Sequence, residues 1–144
     1  MRALGATVAV DYSTSDWQRR VREALGERQI TATLDGVGGE LGRGARGLTG
    51  VGGRIILFGW SSGEPMPVTA EDITSGGLTV SASVGPRMLR RPGGLRELED
   101  RALAALASGE LVPLVGQTFP LSGAAQAHRA LQGRNTTGKV VLTP

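Results

Sequence analysis

Two glycine-containing segments of the sequence have the residue types and the spacing of ligand-binding turns. The segment Asp35–Gly38 (D-G-V-G) directly follows the apolar run Ile30–Leu34, and the segment Phe58–Ser62 (F-G-W-S-S) follows the apolar run that begins at Arg54. Ligands of an open α/β sheet bind at the carboxyl ends of its strands, and glycine lets the backbone approach a ligand closely. The same glycines could instead only turn the chain, and the residues alone favour this second interpretation.

Covalent and metal-assisted catalysis have little support in the sequence. The chain has no cysteine and a single histidine, His128, which we expect on the surface of a helix or partly buried. The possible nucleophiles Ser61, Ser62 and Ser122 lack a partner base. The possible carboxylate ligands Asp11, Asp35 and Asp72 lack the spacing of a metal-binding loop. We therefore predict no catalytic residue of these kinds and no metal.

Length and composition indicate an ordinary globular protein. The chain has 144 residues and a net charge of +3, and its basic residues are arginines apart from Lys139. The densest basic cluster, Arg87, Arg90 and Arg91, is too small to indicate a nucleic-acid surface. No apolar run approaches the ~20 residues of a membrane span, and nothing resembles a signal peptide. We expect a cytoplasmic protein that binds neither nucleic acid nor membrane.

Strands and helices alternate along the sequence, which is typical of a parallel α/β sheet. Ser13 or Ser15 is expected to cap the first helix and Thr69 the third, while Gly50–Gly53 is expected to form a turn. The predicted strands are Thr7–Tyr12, Ile30–Leu34, Arg54–Phe58, Leu78–Val84, Leu114–Thr118 and Lys139–Leu142. The predicted helices are Trp17–Leu25, Glu40–Leu48, Thr69–Ser75, Leu95–Ser108 and Ser122–Gln132.

Six motifs, in this order, resemble the C-terminal part of the medium-chain dehydrogenase/reductase family, and most of all its zinc-independent quinone oxidoreductases. They are L-G-A-T-V-A-V-D-Y (Leu4–Tyr12), T-L-D-G-V-G-G (Thr33–Gly39), G-G-R-I-I-L-F-G (Gly52–Gly59), L-A-S-G-E-L (Leu106–Leu111), F-P-L-S-G-A-A-Q-A-H (Phe119–His128) and G-R-N-T-T-G-K-V-V-L (Gly133–Leu142).

The resemblance implies two parts of a larger architecture. Residues 1–85 are similar to strands three to six of the family's Rossmann domain, and residues 86–144 to the return segment of its GroES-like catalytic domain. Strands one and two, the glycine-rich pyrophosphate loop and the N-terminal catalytic domain have no counterpart in this sequence. The strands left without neighbours would carry unpaired edges, so we expect this chain to be poorly stable, dimeric or rearranged.

The family's cofactor is NADPH or NADH, and the resemblance implies nine positions that would contact it. They are Tyr12, Val37, Gly38, Phe58, Gly59, Ser61, Val80, Ser81 and Arg134. Tyr12 weakly favours NADPH, although packing at a sheet edge explains it equally well. Arg134 could equally be a solvated arginine at a turn. The strand Leu78–Val84 could also be the edge through which a homodimer pairs.

The chemistry implied is hydride transfer from NAD(P)H to an electron-poor acceptor such as a quinone, enone or enoyl thioester. Because so much of the family's site has no counterpart, we expect the chain to be inactive alone. Three interpretations stay open: a truncated oxidoreductase, one half of a split enzyme, or a non-catalytic α/β module for binding or dimerisation.

Overall fold

The computed structural model describes residues 2–83, 85–134 and 136–144, without the side chain of Arg87. Val84 of the predicted edge strand, Asn135 of the last motif and the Arg87 side chain of the basic cluster lie outside this description. The chain forms two compact units, Met1–Pro92 and Gly93–Pro144. This division falls a little beyond the boundary expected after Gly85.

The first unit contains a parallel three-stranded sheet. Its strands are β1 (Ile30–Asp35), β2 (Thr49–Leu57) and β3 (Thr79–Ala82), in the order β1-β2-β3. Thr33 of β1 lies opposite Ile55 of β2, which lies opposite Val80 of β3. The predicted parallel α/β fold is therefore confirmed.

Four helices connect and flank these strands. They are α1 (Trp17–Leu25), α2 (Gly39–Arg46), α3 (Ala70–Gly76) and the single turn α4 (Pro86–Leu89), and a short 3-10 turn covers Arg2–Leu4. The α3 helix begins with the predicted Thr69 cap, whose hydroxyl accepts a hydrogen bond from the Asp72 N–H. The Asp72 carboxylate accepts one from the Thr69 N–H, which completes a capping box. The α1 cap prediction was wrong, since Asp16 occupies that position and its carboxylate binds Arg19 instead.

The predicted strand Thr7–Tyr12 and the predicted turn Gly50–Gly53 were also wrong. The run Thr7–Tyr12 forms no strand, because no described strand lies beside it to complete a hydrogen-bonded ladder. The glycines between Thr49 and Arg54 belong to an irregular start of β2, not to a separate turn. Thr49 pairs with Ile30 and Arg54 pairs with Ala32, so the residues between them bulge out of the ladder.

The second unit pairs two parallel strands. Helix α5 (Gly94–Ala107) precedes β4 (Val115–Pro120); a 3-10 turn (Leu121–Gly123), helix α6 (Ala124–Gln132) and strand β5 (Lys139–Thr143) follow. The α6 helix packs on both strands and buries Ala127. The apolar side predicted for α5 is largely exposed, and Leu103 keeps 63% of its surface in solvent.

One face of the three-stranded sheet is covered and the other is open. Ile55 is completely buried on the covered face. The Thr49 hydroxyl there donates to the Ala45 carbonyl of α2 at 3.2 Å, and it also shares a hydrogen bond with the Thr33 hydroxyl of the neighbouring strand. On the open face, Leu34 is 68% exposed. No helix in the described part of the chain is long and apolar enough to cross a membrane.

The described residues expose far more surface than a compact protein of this mass. The accessible area is 10410 Å², whereas a compact 14.9 kDa protein would expose about 7000 Å², and two separate domains of these sizes about 8400 Å². Much apolar surface is therefore available for contact with other protein segments.

Candidate functional site

The two segments that the sequence singles out lie side by side at the carboxyl edge of the sheet. We call them the β1 turn (Asp35–Gly39) and the β2 loop (Phe58–Pro67). The backbone N–H groups of Phe58, Ser61 and Ser62 donate to the carbonyl oxygens of Asp35, Gly36 and Val37, at 2.9, 3.2 and 2.9 Å. These bonds continue the β1–β2 pairing beyond the strand ends and hold the two segments together.

The side chain of Asp35 stabilises the β1 turn through hydrogen bonds to its backbone. Asp35 is 5% exposed, and its Oδ1 accepts hydrogen bonds of 3.0 Å from the N–H groups of Val37 and Gly38. This is the Asx-type turn that an aspartate before a glycine-rich segment favours. Oδ2 is buried and accepts no hydrogen bond from any residue in the described ranges. Asp35 begins the predicted segment Asp35–Gly38 but was not among the nine expected cofactor contacts, although its position before G-x-G indicates such a turn.

The glycines of the β1 turn have a packing role inside the protein. A side chain at Gly36 would lie 2.7 Å from the Phe58 ring, and one at Gly38, where φ is +73°, would collide with the carbonyl oxygen of Glu64. Close approach of the β2 loop therefore explains why glycine stands at these positions. That they also make room for a ligand stays a prediction.

An apolar cavity of about 460 Å³ opens beside Gly59. It is lined by Leu57, Gly59, Trp60, Pro65, Met66 and Ala82. Met66 is 4% exposed and Trp60 is half-exposed. Trp60 lies within the predicted segment Phe58–Ser62 but was not among the nine expected cofactor contacts, and Met66 lies outside both predicted segments. The cavity is large enough for a ring-sized apolar group, but no charged side chain lines it to orient one.

The predicted residues of β3 lie in the ladder with β2. Val80 is opposite Ile55 and Ser81 opposite Ile56, and both are partly buried. Beyond the strand, the Ser83 N–H donates to the Leu57 carbonyl at 2.9 Å. The backbone of Val80 and Ser81 is thus fixed close to the base of the β2 loop.

Tyr12 and Arg134 are not joined to this group by any contact described in the structure. Tyr12 is half-exposed in the turn before α1. Arg134 belongs to the second unit, where it follows α6 and is the one described non-glycine residue with a positive φ, +53°. The structure therefore brings together Val37, Gly38, Phe58, Gly59, Ser61, Val80 and Ser81.

A partly buried ion pair fixes the far end of the β2 loop. Arg46 of α2 pairs with Asp72 of α3 and donates to the Pro67 carbonyl at 3.2 Å. The backbone N–H and hydroxyl of Thr69, with a smaller effect of the Arg46 guanidinium, lower the pKa of Asp72 below its ordinary value of 3.8. The loop is thus attached at the β1 turn and again at the α2–α3 contact.

The described residues contain no group of three or more histidine, aspartate or glutamate side chains arranged to hold a metal ion. At the carboxyl edge of the sheet, the structure shows backbone N–H and C=O groups beside an apolar cavity. Hydrogen-bonding donors and acceptors at such a strand edge suit a flat, partly polar ligand.

Comparison with known proteins gives consistent results. A family model described as zinc-binding dehydrogenase matches residues 4–142. The 2-haloacrylate reductase of Burkholderia sp. is 29% identical over 145 residues, which cover 99% of this chain and 44% of that protein. The quinone oxidoreductase of Pseudomonas aeruginosa is 29% identical over 147 residues, with the same two coverages.

Solved structures agree with the sequence comparison. The crystal structure of Escherichia coli quinone oxidoreductase, determined in complex with NADPH, superposes with a TM-score of 0.78 at 26% identity. The match covers 99% of this chain and 45% of that one. The chain thus spans less than half of the length of these relatives.

Proposed function

The chain belongs to the zinc-binding dehydrogenase family, and from that premise we propose that it is the C-terminal part of an NAD(P)H-dependent quinone, enone or enoyl reductase. In this proposal residues 1–85 are the last strands of the Rossmann domain, and residues 86–144 are the return segment of the catalytic domain. The chain contributes part of the nicotinamide cofactor pocket. Its resemblance to quinone oxidoreductases is supported by relatives from several organisms.

One observation carries the proposal. The β1 turn and the β2 loop meet at the carboxyl edge of a parallel sheet, joined by three backbone hydrogen bonds. This is the edge at which open α/β sheets bind their ligands. Two relatives' structures contain NADPH, which supports a nicotinamide cofactor and NADPH in particular, while another similar structure is that of an NAD-dependent alcohol dehydrogenase.

The residues present fit one part of such a cofactor. The backbone of Val37 and Gly38 would face the adenosine side, and that of Phe58, Gly59 and Ser61 the nicotinamide ribose. Val80 and Ser81 would approach the nicotinamide ring. Tyr12 and Arg134 are added on the family resemblance alone. When bound, the cofactor supplies a hydride for an electron-poor acceptor.

The remaining part of the cofactor has no site in the sequence. The segment Val37–Gly42 reads V-G-G-E-L-G and lacks the first glycine of the G-x-G-x-x-G pattern that places a pyrophosphate on a helix N-terminus. If the pattern is instead aligned from Gly36, Leu41 stands in place of its last glycine. We therefore propose that the 144-residue chain is inactive alone. We also infer a cytoplasmic setting, supported by the absence of cysteine.

The proposed assembly is a homodimer that pairs through the edge strand predicted at Leu78–Val84. Its observed part, Thr79–Ala82, is hydrogen-bonded on one side to β2 and has no described neighbour on the other. A non-catalytic binding or dimerisation module is the second candidate, and the large exposed apolar surface favours it.

The first test is titration of the purified chain with NADPH and with NADH, followed by tryptophan fluorescence and by calorimetry. No saturable binding up to millimolar cofactor would agree with a partial pocket whose pyrophosphate site is lacking. Micromolar binding would contradict the proposal and identify a self-sufficient dinucleotide-binding module. The fluorescence of the two tryptophans, Trp17 and Trp60, can be separated, because the Trp17→Phe variant leaves only Trp60, beside the cavity, to report on binding.

A further inference from the structure

The two walls of the apolar cavity beside Gly59 are held in different ways. One wall is formed by the ends of β2 and β3, where Leu57 and Ala82 lie opposite each other in the ladder. Sheet pairing fixes this wall. The other wall consists of residues of the β2 loop that belong to no strand, and it depends on contacts with neighbouring elements; its members are Trp60, Pro65 and Met66.

Helix α2 supplies such contacts at two points. Met66 is 4% exposed and packs on Gly42, where a side chain would lie 2.9 Å from Met66 Cβ. About one turn further along the helix, Arg46 donates a 3.2 Å hydrogen bond to the Pro67 carbonyl. Arg46 is the last residue of α2, and a cation is favourable at the C-terminal end of a helix. The end of the β2 loop is therefore held against α2.

The Arg46 guanidinium is held in turn by a carboxylate. The Arg46 side chain is 17% exposed and pairs with the Asp72 side chain, which is 22% exposed. Asp72 Oδ2 also accepts 2.8 Å hydrogen bonds from the N–H and from the hydroxyl of Thr69, at the start of α3. Hydrogen bonds to an ionised group are stronger and more specific in geometry than neutral ones. Arg46 thus connects the end of α2, the end of the β2 loop and the start of α3.

We propose that Arg46 is a positioning residue of the candidate site. By holding Pro67, its guanidinium keeps Pro65 and Met66 at a fixed separation from the opposite wall, and so sets the width of the apolar cavity. Arg46 does not line the cavity, and it acts through the β2 loop. The inference rests on the proposed function for its ligand. Because the cavity opens beside an expected cofactor contact, its width would decide how large an apolar ring of the electron-poor acceptor fits.

The two tryptophans report on different contacts of α2. Trp17 packs on Gly44, where a side chain would lie 2.6 Å from its ring, and Gln18 donates to the Gly44 carbonyl at 3.1 Å. Trp17 therefore reports whether α1 stays packed on α2. Trp60 lines the cavity and is 50% exposed, so it reports the position of the loop wall. A change that only weakens the fold would affect both residues, whereas a displaced loop would affect Trp60 alone.

The test is the collisional quenching of each tryptophan by acrylamide, measured in Trp17→Phe and Trp60→Phe backgrounds that leave one reporter each. Arg46→Met removes the hydrogen bonds to Pro67 and Asp72 but keeps an unbranched apolar stem. The matched control is Arg43→Met on the same helix, because Arg43 is 54% exposed and pairs with Glu40 within α2. No cofactor is present, so the result does not depend on NADPH binding, and a failure of the proposed function would be seen separately.

We expect Arg46→Met to raise the quenching constant of Trp60 by about 1.3- to 2-fold, because a half-exposed ring can at most double its exposure when the segment beside it opens locally. The constant of Trp17 should stay at its wild-type value, and Arg43→Met should change neither constant. Arg46 uses one nitrogen, Nη1, for both acceptors, so Arg46→Lys keeps a suitable donor and should restore at least half of the change.

Three results would overturn the inference. The first is an unchanged quenching constant of Trp60 in Arg46→Met. The second is an equal rise for Trp17, which would indicate a loosened fold instead of a displaced loop. The third is an Arg46→Lys variant quenched as strongly as Arg46→Met, since the assigned role depends on donation to Pro67 and Asp72.

Discussion

The backbone N–H of Ser62 donates a 2.9 Å hydrogen bond to the carbonyl oxygen of Val37. It joins the β2 loop to the β1 turn, so the two segments expected to contact the cofactor move as one structure. A change that loosens either segment should therefore affect both.

Replacing Asp35 should destabilise the first unit. Asp35→Ala removes the acceptor of two N–H groups, those of Val37 and Gly38, and should lower the free energy of unfolding by about 2–4 kcal/mol. Asp35→Asn keeps an acceptor oxygen and should cost clearly less. Urea denaturation of the three proteins measures the difference, and equal losses in both variants would contradict the assigned role of Oδ1.

Gly42 within α2 and Gly47, which directly follows that helix, should respond to alanine in opposite ways. A side chain at Gly42 would lie 2.8 Å from Asp35 Oδ2 and 2.9 Å from Met66 Cβ, so Gly42→Ala should cost about 1–3 kcal/mol of stability. Gly47 has a helical φ of −65° and its nearest neighbour would be 3.5 Å away. Gly47→Ala should therefore stabilise by about 0.4–1 kcal/mol. Thermal unfolding of the two variants and the wild type measures both changes, and we expect a lower melting temperature for Gly42→Ala and a higher one for Gly47→Ala.

Stability should depend on pH through Asp72. Its pKa is lowered in the folded state by the hydrogen bonds from Thr69 and by Arg46, so its contribution is present above pH 3.8 and is lost as the pH falls through the folded-state pKa. Asp72→Asn should be less stable than the wild type at neutral pH, and the gap should close in acid. Glu71→Gln removes a carboxylate from the same helical turn and serves as the control. A gap that stays constant down to acid pH would argue against the Asp72 assignment.

The chain alone should not reduce a quinone. Mixed with NADPH and a soluble quinone, it should consume NADPH no faster than buffer, because the pyrophosphate site is lacking from the sequence. The loss of NADPH absorbance measures this, with an intact quinone oxidoreductase as the positive control. Turnover by the purified chain would show that the partial pocket suffices for hydride transfer.

Local signals in the sequence predicted one helix cap and failed at another. Thr69 begins α3 as expected, because a cap depends only on residues within one helical turn. The first helix offered several polar residues in a row, and its cap is Asp16 instead of Ser13 or Ser15. The run Thr7–Tyr12 has strand-forming residues, yet strand formation needs a neighbour, and sequence propensity carries no information about one. The failed prediction thus reflects a missing pairing partner.

The candidate site was predicted in position but not in its internal contacts. The sequence placed the β1 turn and the β2 loop directly after two strands of a parallel sheet, and the structure shows both at one edge of that sheet. The contact between Gly38 and Glu64, and that between Gly36 and Phe58, depend on how the β2 loop folds back. Residues so far apart in the chain give no local pattern, and for this reason Met66 was missed as well.

The three-stranded sheet has a described neighbour on neither outer side. A two-fold contact at β3 would join two copies into one six-stranded sheet and would leave a β1 strand at each of its two ends. The two ends would be equivalent, so a strand supplied by another segment would bind to such a pair in a ratio of two to one.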